Sequence, residues 1–156
     1  MNDTARGTGA TAPPSAAFCY RLRVRYAECD AQKVVFNARY GDYVDLATTE
    51  YLRALGFGKE LIDGRLDYQL VKQTTEWKAP ARFDDVLCAS VSTLQFGNTS
   101  FVLAVEFRRR GEASLLARTE TVYVMVTPAL AKKPLPADFR AALERGAPDI
   151  IVSHAG

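Results

Sequence analysis

The sequence has few of the residues on which small enzymes most often rely. Its single histidine, His154, lies close to the C-terminus, so a Ser-His-Asp triad and a histidine-activated thiol are both disfavoured. The three cysteines, Cys19, Cys29 and Cys88, are widely spaced and form no C-x-x-C pair. Neither a zinc site nor a disulfide framework is indicated, and we expect free, reduced thiols.

Long apolar runs are also absent. No stretch approaches the roughly 18 apolar residues of a membrane span, and the N-terminus lacks the basic and apolar regions of a secretion signal. Charged residues make up 24% of the chain and the formal net charge is +2, which argues against disorder and against a strong field for nucleic acids. We therefore expect a cytoplasmic protein without a membrane or nucleic-acid partner.

The length of 156 residues is typical of one domain with its own hydrophobic core. Residues 1–17 are rich in Ala, Thr, Gly and Pro, which predicts a flexible leader. We expect the folded domain to span residues 18–146 and residues 147–156 to form a C-terminal tail with no reason to be ordered.

The first part of the domain predicts one strand followed by one long helix. Apolar residues alternate with arginines over residues 19–26, which is typical of a half-buried strand. Residues 38–55 carry apolar side chains at helical spacing, with Asn37 suited to the N-cap and Gly56 to the position after the helix. The residues expected on the buried face of this helix are Tyr40, Val44, Ala47, Tyr51 and Leu55.

The second part predicts a run of strands, each rich in β-branched and aromatic residues. They are expected at residues 69–78, 86–96, 99–109 and 114–127. The short turns between them require antiparallel pairing, and a short helix between Pro136 and Gly146 follows. The fold class is therefore α+β, with an antiparallel five-stranded sheet wrapped around one long central helix.

Two motifs resemble a known family. The first is RVRYAECDAQKVVFNARYGDYVDLATTEYLRALGF, residues 23–57, which resembles the N-terminal signature of the hotdog-fold acyl-CoA thioesterases, the 4-hydroxybenzoyl-CoA thioesterase and YbgC-like group. In that group a D-x-x-x-V-V loop precedes the long helix, and Asp30, Val34 and Val35 fall in those places. The second is WKAPARFDDVL, residues 77–87, which is similar to the family's A-P-A-R-x-D-D corner.

The resemblance covers nearly all of residues 19–136, and it includes the tyrosine near the helix start, Tyr40. Two positions depart from the family pattern. Lys33 stands where many members have glycine, and Asn37 stands where members often carry histidine or tyrosine. Neither departure affects Asp30 itself.

The chemistry of thioester hydrolysis needs a nucleophile and a group that holds the charge developing on the carbonyl oxygen. The first N–H groups of a helix lack intrahelical partners and lie at the positive end of the helix dipole. Those of Asn37 and Ala38 are therefore candidates to polarise a thioester carbonyl. The resemblance implies Asp30 as the catalytic acid, acting either as nucleophile or as general base toward water, and the sequence leaves this choice open.

Several other residues are candidates for supporting roles. Glu50 is the second candidate acid, because related hotdog enzymes place their acid on this helix; the competing interpretation is a solvated or subunit-interface acid. Phe36 and Tyr40 are expected to line the acyl pocket. The phosphates of CoA require cationic partners, for which the candidates are Arg82, Arg108 and Arg110.

The resemblance implies an acyl-CoA thioesterase that releases a carboxylic acid and free CoA, without a metal or redox cofactor. It also implies a homo-oligomer, a dimer whose sheets join or a pair of such dimers, with active sites between subunits. Two alternatives remain open at this point. One is a hotdog protein that binds an acyl-CoA or acyl-carrier protein without catalysis, and the other is a thioesterase that acts on acyl-carrier protein.

Overall fold

The computed structural model describes residues 16–156, so all but the last two residues of the expected leader lie outside the described part of the chain. The helices and strands in chain order are β1 (Phe18–Arg23), a 3-10 turn (Tyr26–Glu28), α1 (Arg39–Leu52), a π-helical turn (Arg53–Phe57), α2 (Gly58–Asp63), β2 (Tyr68–Trp77), β3 (Val86–Phe96), β4 (Ser100–Arg109), β5 (Leu115–Met125), α3 (Ala137–Arg145) and β6 (Ile151–Ser153). None of these helices is long and apolar enough to cross a membrane.

The strands form one sheet in the order β2-β5-β4-β3-β1-β6, and helix α1 packs against β1, β3 and β4. All neighbouring strands are antiparallel except β1 and β6, which are parallel. The α+β layout around one central helix is therefore confirmed. The expected strand number of five is wrong, because the described residues contain a sixth strand.

The sixth strand comes from the segment that we expected to be an unordered tail. The N–H of Cys19 donates to the carbonyl of Ile150 at 3.0 Å, and the N–H of His154 donates to the carbonyl of Arg21 at 2.9 Å. The His154 ring also bonds the Tyr20 hydroxyl at 3.0 Å. A strand of three residues is too short for an alternation of apolar and polar residues to reveal it in the sequence. The segment is ordered because it pairs with β1 and covers the edge that β1 would otherwise expose.

Helix α1 buries the face that its spacing predicted, including Tyr40, Val44, Ala47 and Tyr51. Its ends differ from the prediction. Ala38, not Asn37, occupies the N-cap position, because the first turn is tightened by bonds between residues three apart. At the other end the helix passes at Leu52 into a π-helical turn, within which Gly56 adopts a left-handed φ of 100°.

The expectation of free, reduced thiols is wrong for two of the three cysteines. Sγ of Cys19 and Sγ of Cys88 are joined in a disulfide, and Cys29 alone is free. The antiparallel register pairs Arg21 with Cys88, which places Cys19 and Cys88 diagonally on one face with their Cα atoms 5.8 Å apart. A separation of 69 residues gives no local spacing signal, so only the strand register reveals the pair.

Candidate active site

The acid loop between β1 and α1 is held by backbone hydrogen bonds at both ends. It begins with a tight turn, in which the N–H of Lys33 donates to the carbonyl of Asp30 at 2.9 Å, and the N–H of Asp30 donates to the carbonyl of Val34 at 2.9 Å. Lys33 has a φ of 62°, in the left-handed region where glycine is favoured. Lys33 therefore adopts the left-handed backbone conformation that glycine adopts more easily.

The same loop is fixed against the corner between β2 and β3. The N–H of Val35 donates to the carbonyl of Ala81 at 2.8 Å, and the N–H of Phe83 donates to the carbonyl of Lys33 at 3.0 Å. The two motifs that carry the family resemblance thus contact each other directly.

Asp30 is exposed in the single chain. Its Oδ1 accepts the N–H of Gln32 at 2.8 Å and that of Val34 at 3.5 Å. Within residues 16–156 its Oδ2 has no hydrogen-bond partner. The side chain therefore makes the local turn expected of any aspartate in a loop and still has one oxygen available for a ligand.

The acid loop leads into the start of α1, where backbone amide groups are exposed to a ligand only if they lack a partner. The N–H groups of Arg39, Tyr40 and Gly41 are already used, because they donate to the carbonyls three residues earlier at 2.8, 3.3 and 3.3 Å. Those of Asn37 and Ala38 have no partner within the described range. These two N–H groups are thus available, at the positive end of the helix dipole, for an electron-rich oxygen.

A cavity of about 470 Å³ lies between the acid loop, the start of α1 and the end of β2. Its lining consists of Asp30, Gln32, Val34, Val35, Phe36, Asn37, Tyr40, Trp77, Lys78, Ala79 and Pro80. The ring of Tyr40 meets that of Trp77 edge to face, with centroids 6.2 Å apart. Burial raises the pKa of Tyr40, so its hydroxyl is neutral at physiological pH. The lining therefore combines apolar and aromatic side chains with four polar ones, Asp30, Gln32, Asn37 and Lys78.

The corner that closes this cavity is stabilised by an ion pair that the sequence did not reveal. Nε of Arg109 lies 2.8 Å from Oδ2 of Asp85, and its Nη2 donates to the carbonyl of Pro80 at 2.7 Å. The same carboxylate accepts the N–H of Arg82 at 2.8 Å. In the sequence Arg109 lies between the two candidates Arg108 and Arg110, and its partner lies 24 residues away.

The other candidate residues do not line the cavity. Arg108 pairs with Glu106 at 3.0 Å, whereas the exposed side chains of Arg82 and Arg110 lie outside the lining. Glu50 pairs with Arg53 at 3.3 Å and is also absent from the lining. The cavity thus brings together Asp30, Phe36, Asn37 and Tyr40, but its lining does not include Ala38, the three arginines or Glu50.

Two lining residues, Trp77 and Lys78, were not assigned a role from the sequence. Both belong to the corner motif of residues 77–87, which marked them as part of the resemblance without showing that they face Asp30. The Lys78 ammonium forms an exposed ion pair with Glu76 at 3.4 Å. It is the cation that the lining contributes.

In chemical terms, the site combines a carboxylate that has a free oxygen, the unpartnered amide of Asn37 with that of Ala38 next to it in the chain, and a wall that includes apolar and aromatic groups. Such a set can polarise a carbonyl oxygen and deliver an oxygen nucleophile to its carbon. A family model described as thioesterase-like superfamily matches residues 24–143. The chain belongs to this superfamily.

The thioesterase is 35% identical over 118 residues to the acyl-CoA thioester hydrolase YbgC of Escherichia coli O6:H1, covering 75% of this chain and 87% of YbgC. A solved gentisyl-coenzyme A thioesterase matches with a TM-score of 0.72 and 31% identity, covering 80% of this chain and 98% of that one. The 4-hydroxybenzoyl-CoA thioesterase of Pseudomonas sp. strain CBS-3 shares the fold, with a TM-score of 0.72 at 19% identity over 82% of this chain and 99% of its own.

These similarities confirm the predicted family and fold. The protein is a YbgC-like thioesterase of the hotdog fold, and its enzyme class is thioester hydrolase. The interpretation as a binding protein without catalysis is thereby set aside.

Proposed function

We propose that this thioesterase hydrolyses acyl-CoA thioesters to a carboxylic acid and free CoA, with Asp30 as the working acid. One observation carries the proposal: the carboxylate of Asp30 borders the same cavity as Asn37, at the helix start where two amides lack partners. The names of YbgC and of the gentisyl-coenzyme A thioesterase, both at least 31% identical, support CoA as the thiol.

In this mechanism the thioester carbonyl oxygen accepts the N–H groups of Asn37 and Ala38, which stabilise the negative charge of the tetrahedral intermediate. The Gln32 amide holds Oδ1 of Asp30 and leaves Oδ2 toward the carbonyl carbon. Oδ2 either attacks that carbon, forming an anhydride that water then hydrolyses, or takes a proton from an attacking water. In the first route the carbon–sulfur bond breaks as the anhydride forms, and the CoA thiolate takes its proton from solvent. In the second route the bond breaks when the tetrahedral intermediate collapses, and the proton held by Asp30 passes to the CoA thiolate, so both routes return the carboxylate. Label from ¹⁸O water that appears in Asp30 itself would identify the first route.

The cavity wall suggests where the two ends of the substrate lie. We assign the acyl group to the side formed by Phe36, Tyr40 and Trp77, because these rings can bury an apolar group. Lys78 joins Arg82, Arg108 and Arg110 as a candidate partner of the CoA phosphates, and its place in the lining makes it the first to test.

The test is thiol release from a panel of short, long, branched and aromatic acyl-CoAs. Asp30→Asn keeps the size of the side chain and is expected to lower kcat by about 10²–10⁴-fold. Asp63→Asn is the matched control, because Asp63 makes the same kind of turn, accepting the N–H of Arg65 at 3.0 Å, away from the cavity lining. The proposed role of Asp30 is wrong if both variants keep the wild-type rate, and Glu50→Gln is then the next variant to measure.

The same panel includes an acyl group carried on acyl-carrier protein. If the enzyme hydrolyses that ester and none of the CoA esters, acyl-carrier protein replaces CoA as the proposed thiol. The helix-start amides and Asp30 would keep their roles, because the reacting carbonyl is the same in both esters.

We also propose that the enzyme is a homo-oligomer whose sheets join at the β2 edge. Among residues 16–156 β2 pairs only with β5, and Leu70 and Val71 are 51% and 57% exposed on this open strand. Val71→Lys is expected to lower the molar mass measured by light scattering, because a lysine on an edge strand opposes strand pairing. Ile62→Lys, at an exposed position on α2, is the control. An unchanged mass for Val71→Lys would place the interface elsewhere.

A further inference from the structure

A buried carboxylate lies two residues before Asp30 and outside the cavity. Among the buried polar residues in the described part of the chain, Glu28 is the charged one. It closes the 3-10 turn Tyr26–Glu28 that leads from β1 into the acid loop. A charge is removed from water only at a cost, which its partners must offset.

Glu28 has four hydrogen-bond donors around it. Its Oε1 accepts the backbone N–H of Arg25 at 2.8 Å and the hydroxyl of Tyr43 at 2.9 Å. Its Oε2 accepts Nε and Nη2 of the Arg25 guanidinium at 3.2 and 3.0 Å. Burial raises the pKa of Glu28, but the bonds from Arg25 and Tyr43 outweigh burial and hold the pKa below its usual value. The group is therefore an ionised, fully bonded acceptor at neutral pH.

These contacts link the two halves of the active site. Tyr43 lies in the second turn of α1, so its bond to Glu28 attaches the helix to the chain just before Asp30. The backbone carbonyl of Glu28 accepts the N–H of Phe36 at 3.0 Å, which closes the loop immediately before Asn37. The loop of residues 29–35, which carries Asp30, therefore begins directly after Glu28 and is hydrogen-bonded back to Glu28 at its other end.

We propose that Glu28 and Tyr43 are a pair of positioning residues that hold the Asp30 loop at a fixed distance from the helix-start amides. The inference rests on the proposed function of Asp30, Asn37 and Ala38. Neither Glu28 nor Tyr43 lines the cavity, so they act through the loop and not on the substrate. Rate is sensitive to such placement, because a shift of about 1 Å can cost about a hundredfold.

Tyr43→Phe is the decisive variant, since it removes one hydroxyl and leaves Glu28 bonded to Arg25. We expect kcat to fall between about tenfold and a hundredfold, with KM within about twofold of wild type because no cavity-lining group changes. Tyr51→Phe is the matched control. Tyr51 is on the same helix, is buried to the same extent and bonds the Thr93 hydroxyl at 3.0 Å, away from the loop. It should lose a similar amount of thermal stability and keep its kcat.

A second pair of variants separates geometry from charge. The amide oxygen of Glu28→Gln can still accept the Tyr43 hydroxyl, so this variant should keep more of its kcat than Glu28→Ala, which loses both the bond and the charge. The positioning role would be overturned if Glu28→Gln and Glu28→Ala lost kcat equally. It would also be overturned if Tyr43→Phe raised KM and left kcat unchanged.

Amide hydrogen exchange gives a readout that does not depend on turnover. Residues 29–37 should exchange faster in Tyr43→Phe than in wild type, and at the wild-type rate in Tyr51→Phe. If the wild type released no thiol from any ester, the proposed function would fail, yet faster exchange confined to residues 29–37 would still establish the link between loop and helix. Unchanged exchange in Tyr43→Phe would overturn the link whatever the enzyme hydrolyses.

Discussion

Replacing Lys33 by glycine is expected to stabilise the enzyme, although it removes a whole side chain from the active loop. Lys33 has a φ of 62°, and a left-handed backbone costs a residue with a Cβ about 1–2 kcal/mol. Glycine avoids this cost but loses about 0.5–1 kcal/mol more through the entropy of the unfolded chain. The net gain in the free energy of unfolding is about 0–1.5 kcal/mol, which corresponds to a Tm higher by up to about 6 °C.

The assay is thermal unfolding followed by circular dichroism, together with thiol release on the best substrate. Activity should stay within about twofold, because a glycine would keep the two backbone bonds that Lys33 makes, at 2.9 and 3.0 Å. Leu130 has a φ of 64° in an exposed turn away from the cavity lining, and Leu130→Gly should give a gain of the same order. Lys59→Gly, inside α2, should lose up to about 1 kcal/mol.

A lower Tm for Lys33→Gly would refute this reasoning. It would mean that contacts of the lysine side chain outweigh the backbone cost at this position. A lower Tm in both Lys33→Gly and Leu130→Gly would instead show that the entropy of the unfolded chain dominates at both left-handed positions.

Two further predictions concern the charged groups around the site. Arg109→Ala should lower the free energy of unfolding by about 1.5–3 kcal/mol, because Asp85 loses its guanidinium partner, keeping only the N–H of Arg82, and the carbonyl of Pro80 loses its donor. Arg39→Ala, which breaks an exposed pair, should change the free energy of unfolding by less than about 1 kcal/mol, and urea unfolding compares the two variants. Because the pKa of Glu28 is lowered on folding, its contribution is present above the unfolded pKa of about 4.3 and is lost as pH falls through the lower folded value. The Tm of wild type should therefore fall more steeply on acidification than that of Glu28→Gln, and parallel curves would contradict this.

Features with a local cause were predictable from the sequence. The content of β-branched and aromatic residues between two turns gave the strand at residues 86–96 with the bounds of β3, and helical spacing gave the buried face of α1. Gly146, placed after α3 from the sequence, has a φ of 67°. Each of these features depends on residues within a few positions of one another, so a short window contains its whole physical cause.

Features that depend on strand register were not predictable in this way. The bond between Cys19 and Cys88 and the pair between Arg109 and Asp85 join residues 69 and 24 positions apart. Sequence order shows neither, because the register that brings them together is set by turns and by the buried faces of other strands. Arg108, proposed as a CoA contact from its place in the run of arginines at 108–110, pairs with Glu106, and the sequence does not show which member of such a run already has a partner.

The active site combines both kinds of information. Asp30 became a candidate because of its place in the sequence motif. Its Oδ2 and the amides of Asn37 and Ala38 are available because the hydrogen bonds of the fold use other groups, and only the structure shows this. Glu28 lies between the two cases, because its three-residue spacing from Arg25 is local but its burial depends on Tyr43 of the helix. An acid that looks like one more surface charge in the sequence thus becomes, once the helix packs, the group to which both the loop and the helix are bonded.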